Sequence, residues 1–138
     1  MIVQDIMTTK PVVVQHDTSI AEAVALLRES NIRHLPVLEG SKLIGMVSDR
    51  DLRGVFGAGP LDEEAMTNLN NKYRAPISQL MSGDVVDIHP EDDLGEAIDI
   101  MLQQGVGAIP VTDPFSGNLV GIVSYVDVLK VAREHLAE

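Results

Sequence analysis

The stretch "GMVSDRD" (45–51) is a short apolar strand that ends in Ser-x-x-Asp and runs into a helix, and "GIVSYVD" (121–127) repeats it. Ser-x-x-Asp ahead of an apolar run is a helix-start signature. The hydroxyl oxygen accepts from a free N–H of the first turn, and the acid reaches back to the N–H of the capping residue. One copy is a cap. Two copies at equivalent places predict a chain written twice.

Working outward bears this out along the sequence. "IMTTKPVVVQHDTSIAEAVALL" aligns from Met7 with "LMSGDVVDIHPEDDLGEAIDIM" from Met81 without a gap. The register continues through "IRHLPV" (32–37) and "VGAIPV" (106–111). Each copy opens with a brief helical turn, 3–7 or 77–81, followed by a short strand, "PVVV" (11–14) or "VVDI" (85–88). A helix comes next. In copy one Ile20, Ala23, Val24, Leu26 and Leu27 recur at helical spacing. Ser19 with Glu22, and Asp93 with Glu96, read as its capping boxes, and Asn31 and Gly105 as its stops.

"HLPVLEGSKLIGMVS" predicts a hairpin turning at Glu39-Gly40-Ser41, and "AIPVTDPFSGNLVGIVS" the same hairpin with a longer turn. Pro36 and Pro110 lie inside the first hairpin strand, which is therefore expected at a sheet edge or bulged, not central. Further helices start at Ser48 and Ser124. Gly57, Gly59 and Pro60 are read as ending the first of these, and "LDEEAMTNL" as one more short helix before Pro76. The expected organisation is repeat one at 1–57, a connecting segment at 58–75 and repeat two at 76–138. The fold class is α+β, two β-α-β-β-α units packed on each other about a pseudo-twofold axis. A half of this size alone is marginal.

Of the 138 residues, 45% are apolar but only 3% aromatic, so the core must be aliphatic. The net charge of -11 argues against nucleic acid and against an anionic membrane surface. The absence of cysteine excludes disulfides, thiolate metal sites and cysteine nucleophiles. Neither a signal peptide nor a membrane span is visible, and a cytoplasmic protein is expected. His16, His89 and His135 lack metal-ligand spacing and read as surface residues; no metal site is expected. The methionines read as core filling, with Met7 and Met81 also candidates to flank a base.

The ordered repeat, with "RHLPV" and "GAIPV" in the first hairpin strand and Gly-x-Val-Ser-x-x-Asp at its exit, resembles a CBS-domain pair (Bateman module) of the stand-alone type. The likeness runs from Val3 to Leu129. It implies a non-catalytic regulatory module that takes adenosine-containing ligands, such as AMP, ADP, ATP or S-adenosylmethionine, in clefts between the two repeats. By resemblance Ser48 and Ser124 contact phosphate, and Asp51 and Asp127 hold ribose hydroxyls. The base rests among Pro11, Val12, Ile109 and Pro110. Arg33 or His34 directs a basic group to phosphate.

The chemistry of these residues is compatible with that role. A carboxylate accepts two hydrogen bonds from a vicinal diol, and Gly45 and Gly121 let two segments approach closely. The copies are unequal. Gly107 and Ala108 stand where copy one has Arg33 and His34, and Tyr125 and Val126 replace Asp49 and Arg50. The expectation is that the cleft of Ser124 and Asp127 receives Arg33 or His34, whereas that of Ser48 and Asp51 relies on Arg50 or Lys10.

A plain cap remains an alternative for both Ser-Asp pairs. At the level of the whole chain, the alternative is a dimerisation or interaction module with vestigial clefts. An enzyme is disfavoured because no base or metal set stands beside the phosphate position. The resemblance further implies a homodimer, with "VALL" (24–27) and "VLKVA" (128–132) as candidate faces, and an unidentified protein target.

Overall fold

The computed structural model of the chain describes residues 1–55 and 63–137. A 3-10 turn at Val3–Asp5 leads to β1 (Thr8–Thr9), β2 (Val14–Gln15), α1 (Ile20–Ser30), β3 (His34–Glu39), β4 (Lys42–Ser48) and α2 (Asp49–Arg53). Then follow α3 (Glu63–Arg74), a 3-10 turn at Ile77–Gln79, α4 (Leu94–Gln104), β5 (Ala108–Thr112), β6 (Leu119–Ser124) and α5 (Tyr125–Leu136). The mixed helix and strand content is the α+β class expected. Among the described residues, no helix is long and apolar enough to cross a membrane.

The strands form two three-stranded sheets, ordered β2-β3-β4 and β1-β6-β5. The chain divides into two compact units, Val12–Val85 and a second made of Met1–Pro11 with Val86–Glu138. These units do not follow the sequence repeat, because the opening segments are exchanged. Thr8 and Thr9 of copy one pair with Ile122 and Gly121 of copy two. Val3 and Gln4 donate main-chain hydrogen bonds to the carbonyls of Asp92 and Pro90, both at 2.9 Å. Reciprocally, Ile77 donates to Thr18 at 2.7 Å, and Met46 and Ser82 exchange N–H···O bonds at 3.2 and 3.0 Å.

Each unit has its own aliphatic core, and the two match position by position. Val14, Ile20, Ala23, Leu35, Val37, Val47 and Ile77 fill one. Ile88, Leu94, Ala97, Ile109, Val111, Val123 and Val3 fill the other. The opening residue of each copy thus lies in the core of the other copy's unit.

Local chemistry sets the helix ends. Ser19 caps α1 by accepting from the Glu22 N–H, and Asn31 stops it in the left-handed region at φ 52°. Gly105 does the same for α4 at φ 66°. The expected Asp93 box is absent, since its side chain makes no cap bond. The Glu96 N–H goes instead to the main-chain carbonyl of Asp93 at 3.0 Å.

The prolines meet the expectation in part. β5, which holds Pro110, lies at the edge of its sheet, whereas β3 is central although Pro36 lies in it. The bulge is present, with register shifts between Val37 and Leu38 and between Val111 and Thr112. Proline is tolerated because the parallel ladder ends at it. Ile88 donates to the Pro110 carbonyl and accepts from Thr112; one step further back the ladder would need the N–H that proline lacks. The same loss shortens the expected strands. "PVVV" contributes only Val14 to β2, and "VVDI" only a bridge from Ile88 to Val111.

The helix expected in the connecting segment is present and extends to Arg74. α3 has 12 residues, and Leu69 and Tyr73 pack on the first core. Gly57, Gly59 and Pro60 lie outside the described residues, and α2 closes at Arg53.

Candidate functional site

Each hairpin ends in the same reciprocal cap. Ser48 N–H donates to Asp51 Oδ2 at 2.8 Å, and Asp51 N–H donates to Ser48 Oγ at 3.2 Å. Ser124 N–H donates to Asp127 Oδ2 at 2.8 Å, and Asp127 N–H donates to Ser124 Oγ at 3.4 Å. The Ser124 hydroxyl also lies 3.1 Å from Asp127 Oδ2. The pair caps each helix through one carboxylate oxygen, Oδ2.

The glycines before each cap have a partner that the sequence did not name. A Cβ on Gly45 would stand 2.5 Å from Met81 Sδ and 3.1 Å from the Ser82 carbonyl oxygen. A Cβ on Gly121 would stand 2.8 Å from Met7 Sδ and 2.9 Å from the Thr8 carbonyl oxygen. The close approach expected at both glycines is real, and the exchanged opening segments make it. Met7 and Met81 pack against the two cores, in the role of core filling.

Strand register decides what stands beside each cap. His34 pairs with Ser48, and Ala108 pairs with Ser124. Side chains of directly opposed residues share a sheet face. The neighbouring pair Leu35 and Val47 faces the core with no exposed surface, so His34 and Ser48 occupy the opposite face. The main chain ties the same region together, with Asp49 N–H donating to the Arg33 carbonyl at 2.9 Å. In copy two, Tyr125 N–H donates to Gly107 at 3.0 Å.

Burial pushes the His34 imidazole below its ordinary value of 6.5. The negative charges of Asp49 and Asp51 oppose that shift, and the Arg33 guanidinium adds to it. Asp49 also meets Arg53 at 3.4 Å. In the hairpin turn of copy two, the N–H groups of Ser116 and Phe115 hold the Asp113 carboxyl below the usual carboxylate range.

The sequence-derived residues fall into two sets. Ser48, Asp51, Arg33, His34, Arg50 and Val12 belong to the Val12–Val85 unit, and Ser124, Asp127, Lys10, Pro11, Ile109 and Pro110 to the other. Within its own unit His34 stands opposite Ser48. Lys10 lies in the unit of Ser124, following the Thr9–Gly121 pair. Lys10 is exposed and adopts a left-handed backbone at φ 53°, a conformation uncommon for a non-glycine residue. Arg33, Arg50 and Val12 are exposed and Pro11 half-buried. Ile109 faces the core of its unit, and Pro110 is also fully buried.

His16 and His135 are exposed, and half-buried His89 lies 3.7 Å from Asp92. Among the described residues, no cluster of three His, Asp or Glu side chains is arranged to hold a metal ion.

The sequence pattern of the CBS domain matches the chain twice, over residues 3–57 and 77–134. The CBS domain-containing protein YhcV of Bacillus subtilis is 32% identical over 126 residues, which cover 91% of this chain and 81% of that protein. Among solved structures, CBSX2 in complex with AMP is 28% identical, with a TM-score of 0.80 and 97% of each chain covered; CBSX2 is a protein of Arabidopsis thaliana. The CBS domain pair of protein MJ0100, in complex with 5′-methylthioadenosine and S-adenosyl-L-methionine, is 26% identical with a TM-score of 0.77, covering 96% of this chain and 99% of that one. Two matched repeats, two similar hairpins and two similar caps make the class a tandem CBS pair. The chain belongs to the CBS domain family.

Proposed function

We propose that this CBS pair is a non-catalytic regulatory module that binds adenosine-containing ligands and passes the event on as a conformational or dimer rearrangement. AMP, ADP, ATP and S-adenosylmethionine are the candidates. The observation that carries the reading is the recurrence of the Ser–Asp cap at equivalent strand exits, each with Asp Oδ2 held by the serine N–H. A carboxylate fixed in this way is pre-oriented for a ribose hydroxyl. The reading is supported by similar pairs solved with AMP and with S-adenosylmethionine. A ligand drives a rearrangement only if it binds the two states with different affinity.

Calorimetric titration of nucleotide-stripped protein with AMP, ADP, ATP and S-adenosylmethionine tests it. Binding of at least one, weakened tenfold or more by Asp51→Ala or Asp127→Ala, is the expected result. No heat with any of the four overturns the reading.

A second reading, an interaction module with vestigial clefts, draws on the exposed apolar side of α5. That helix has no buried residue, and Leu129 and Leu136 are 60% and 79% exposed. Of the two stretches expected to serve a homodimer, "VALL" is turned inward, with Leu27 buried and Val24 and Leu26 packed on the core. The proposed dimer face is therefore α5. Light scattering on a sizing column tests it, and a strict monomer at micromolar concentration counts against it.

A further inference from the structure

The two caps are alike, but the strand position facing each is not. His34 faces Ser48 and Ala108 faces Ser124. The half-buried imidazole shares a sheet face with the Ser48 hydroxyl, and the charged groups acting on it are Asp49, Asp51 and Arg33. We propose that capture of a negatively charged 5′ group at the Ser48–Asp51 site is coupled, through His34, to uptake of one proton, while the Ser124–Asp127 site lacks this coupling. The proposal rests on the reading of the caps as adenosine sites and adds to it the pH regulation of one of them.

The physical argument has three parts. A half-buried imidazole in a low-dielectric setting favours its neutral form, in which one ring nitrogen accepts and only one donates. An anionic group brought to the Ser48 side of the sheet favours the protonated form, with two donors and a full charge. The proton required comes from solvent, so by linkage anion affinity rises as pH falls through the histidine range. Asp49 and Asp51 act in the same direction as the ligand but repel it. The unprotonated site is thus acidic and poor for phosphate, and protonation of His34 relieves part of that. At Ser124 the corresponding Ala108 has no titratable group, and an uncharged 5′ substituent meets no such requirement.

The experiment is calorimetric titration with AMP and with adenosine, between about pH 8 and about pH 6, a range histidine titration spans. It is run in two buffers of different ionisation enthalpy, so that protons taken up are counted. The phosphate of AMP itself titrates near this range, so unaltered protein is compared with His34→Gln, whose fold is checked by circular dichroism. Expected is an AMP affinity that rises several-fold on acidification, with proton uptake exceeding that of His34→Gln; adenosine binding shows neither effect. An NMR titration of the His34 ring in the unaltered protein gives the answer without substitution, since its midpoint must rise when AMP is added.

AMP binding with an identical pH profile in both proteins, or an unmoved His34 midpoint, overturns the proposal. Adenosine binding without AMP binding overturns it while the adenosine reading stands. Binding of neither, nor of ATP or S-adenosylmethionine, removes the adenosine reading and the proposal with it.

Discussion

The sulfur of Met81 occupies the space that a side chain on Gly45 would need: a Cβ there would stand 2.5 Å from Sδ. In copy two Met7 bears the same relation to Gly121. Each glycine is required for lack of room, and each contact ties the opening segment of one repeat to the hairpin of the other.

Gly45→Ala and Gly121→Ala should each destabilise the fold by about 1–3 kcal/mol, the usual cost of overpacking. Rescue should differ between them. The main obstacle at Gly45 is a flexible thioether, so Met81→Ala should recover part of the loss. At Gly121 the Thr8 carbonyl stands at 2.9 Å, and Met7→Ala should recover less. Urea unfolding of the four single and double variants measures this; equal rescue at both positions would refute the assignment.

Thr112 is buried, and its hydroxyl donates to Asp87 Oδ2 at 2.5 Å. Asp87→Ala leaves that hydroxyl buried without its acceptor, which should cost about 1–3 kcal/mol. Thr112→Val in the Asp87→Ala background should recover much of it. A double-mutant cycle with no coupling would mean that the hydrogen bond does not contribute.

Stability of the unliganded protein should depend on His34 at mildly acidic pH. Burial lowers its folded-state pKa below the unfolded value of 6.5. The unfolded chain therefore binds more protons, and stability rises with pH across that window. The contribution is complete above 6.5 and is lost as pH falls to the lowered folded-state value. One group gives a slope of at most about 1.4 kcal/mol per pH unit. Thermal melts at several pH values should show His34→Gln without this component; an unchanged profile would count against the burial of the ring.

The caps should contribute to stability independently of any ligand. Ser124→Ala removes the acceptor for the Asp127 N–H, at a cost of about 1 kcal/mol. Ser124→Thr keeps an acceptor and should cost less. Circular dichroism melts distinguish the two variants, and identical melting temperatures would indicate that the cap bond adds nothing to α5.

Much of the fold was legible because it rests on local chemistry. Helical spacing at Ile20, Ala23 and Leu27, the Ser19 cap, and the left-handed stops at Asn31 and Gly105 each involve residues within a turn or two of each other. The hairpins follow from Gly40 and from the turn with Gly117. Repetition then raised Ser48–Asp51 and Ser124–Asp127 from caps to candidate sites. The helix of the connecting segment was legible, but its packing was not, since Leu69 and Tyr73 meet a core assembled elsewhere in the chain.

The sequence by itself determined two α+β repeats with aliphatic cores, with glycine followed by a Ser–Asp cap at the exit of each hairpin. Tertiary structure alone decided two other matters. The first is the exchange of opening segments, which depends on main-chain hydrogen bonds such as Val3 to Asp92 and Ile77 to Thr18; any two peptide groups can make such bonds, so side-chain pattern does not encode the choice. The second is the partner of each cap. Counting back from the Glu39–Lys42 pair without interruption would set His34 opposite Val47, but the bulge after Val37 shifts the register by one and sets it opposite Ser48. A shift of one residue exchanges sheet faces. It places the imidazole on the same face as the Ser48 hydroxyl, away from the core.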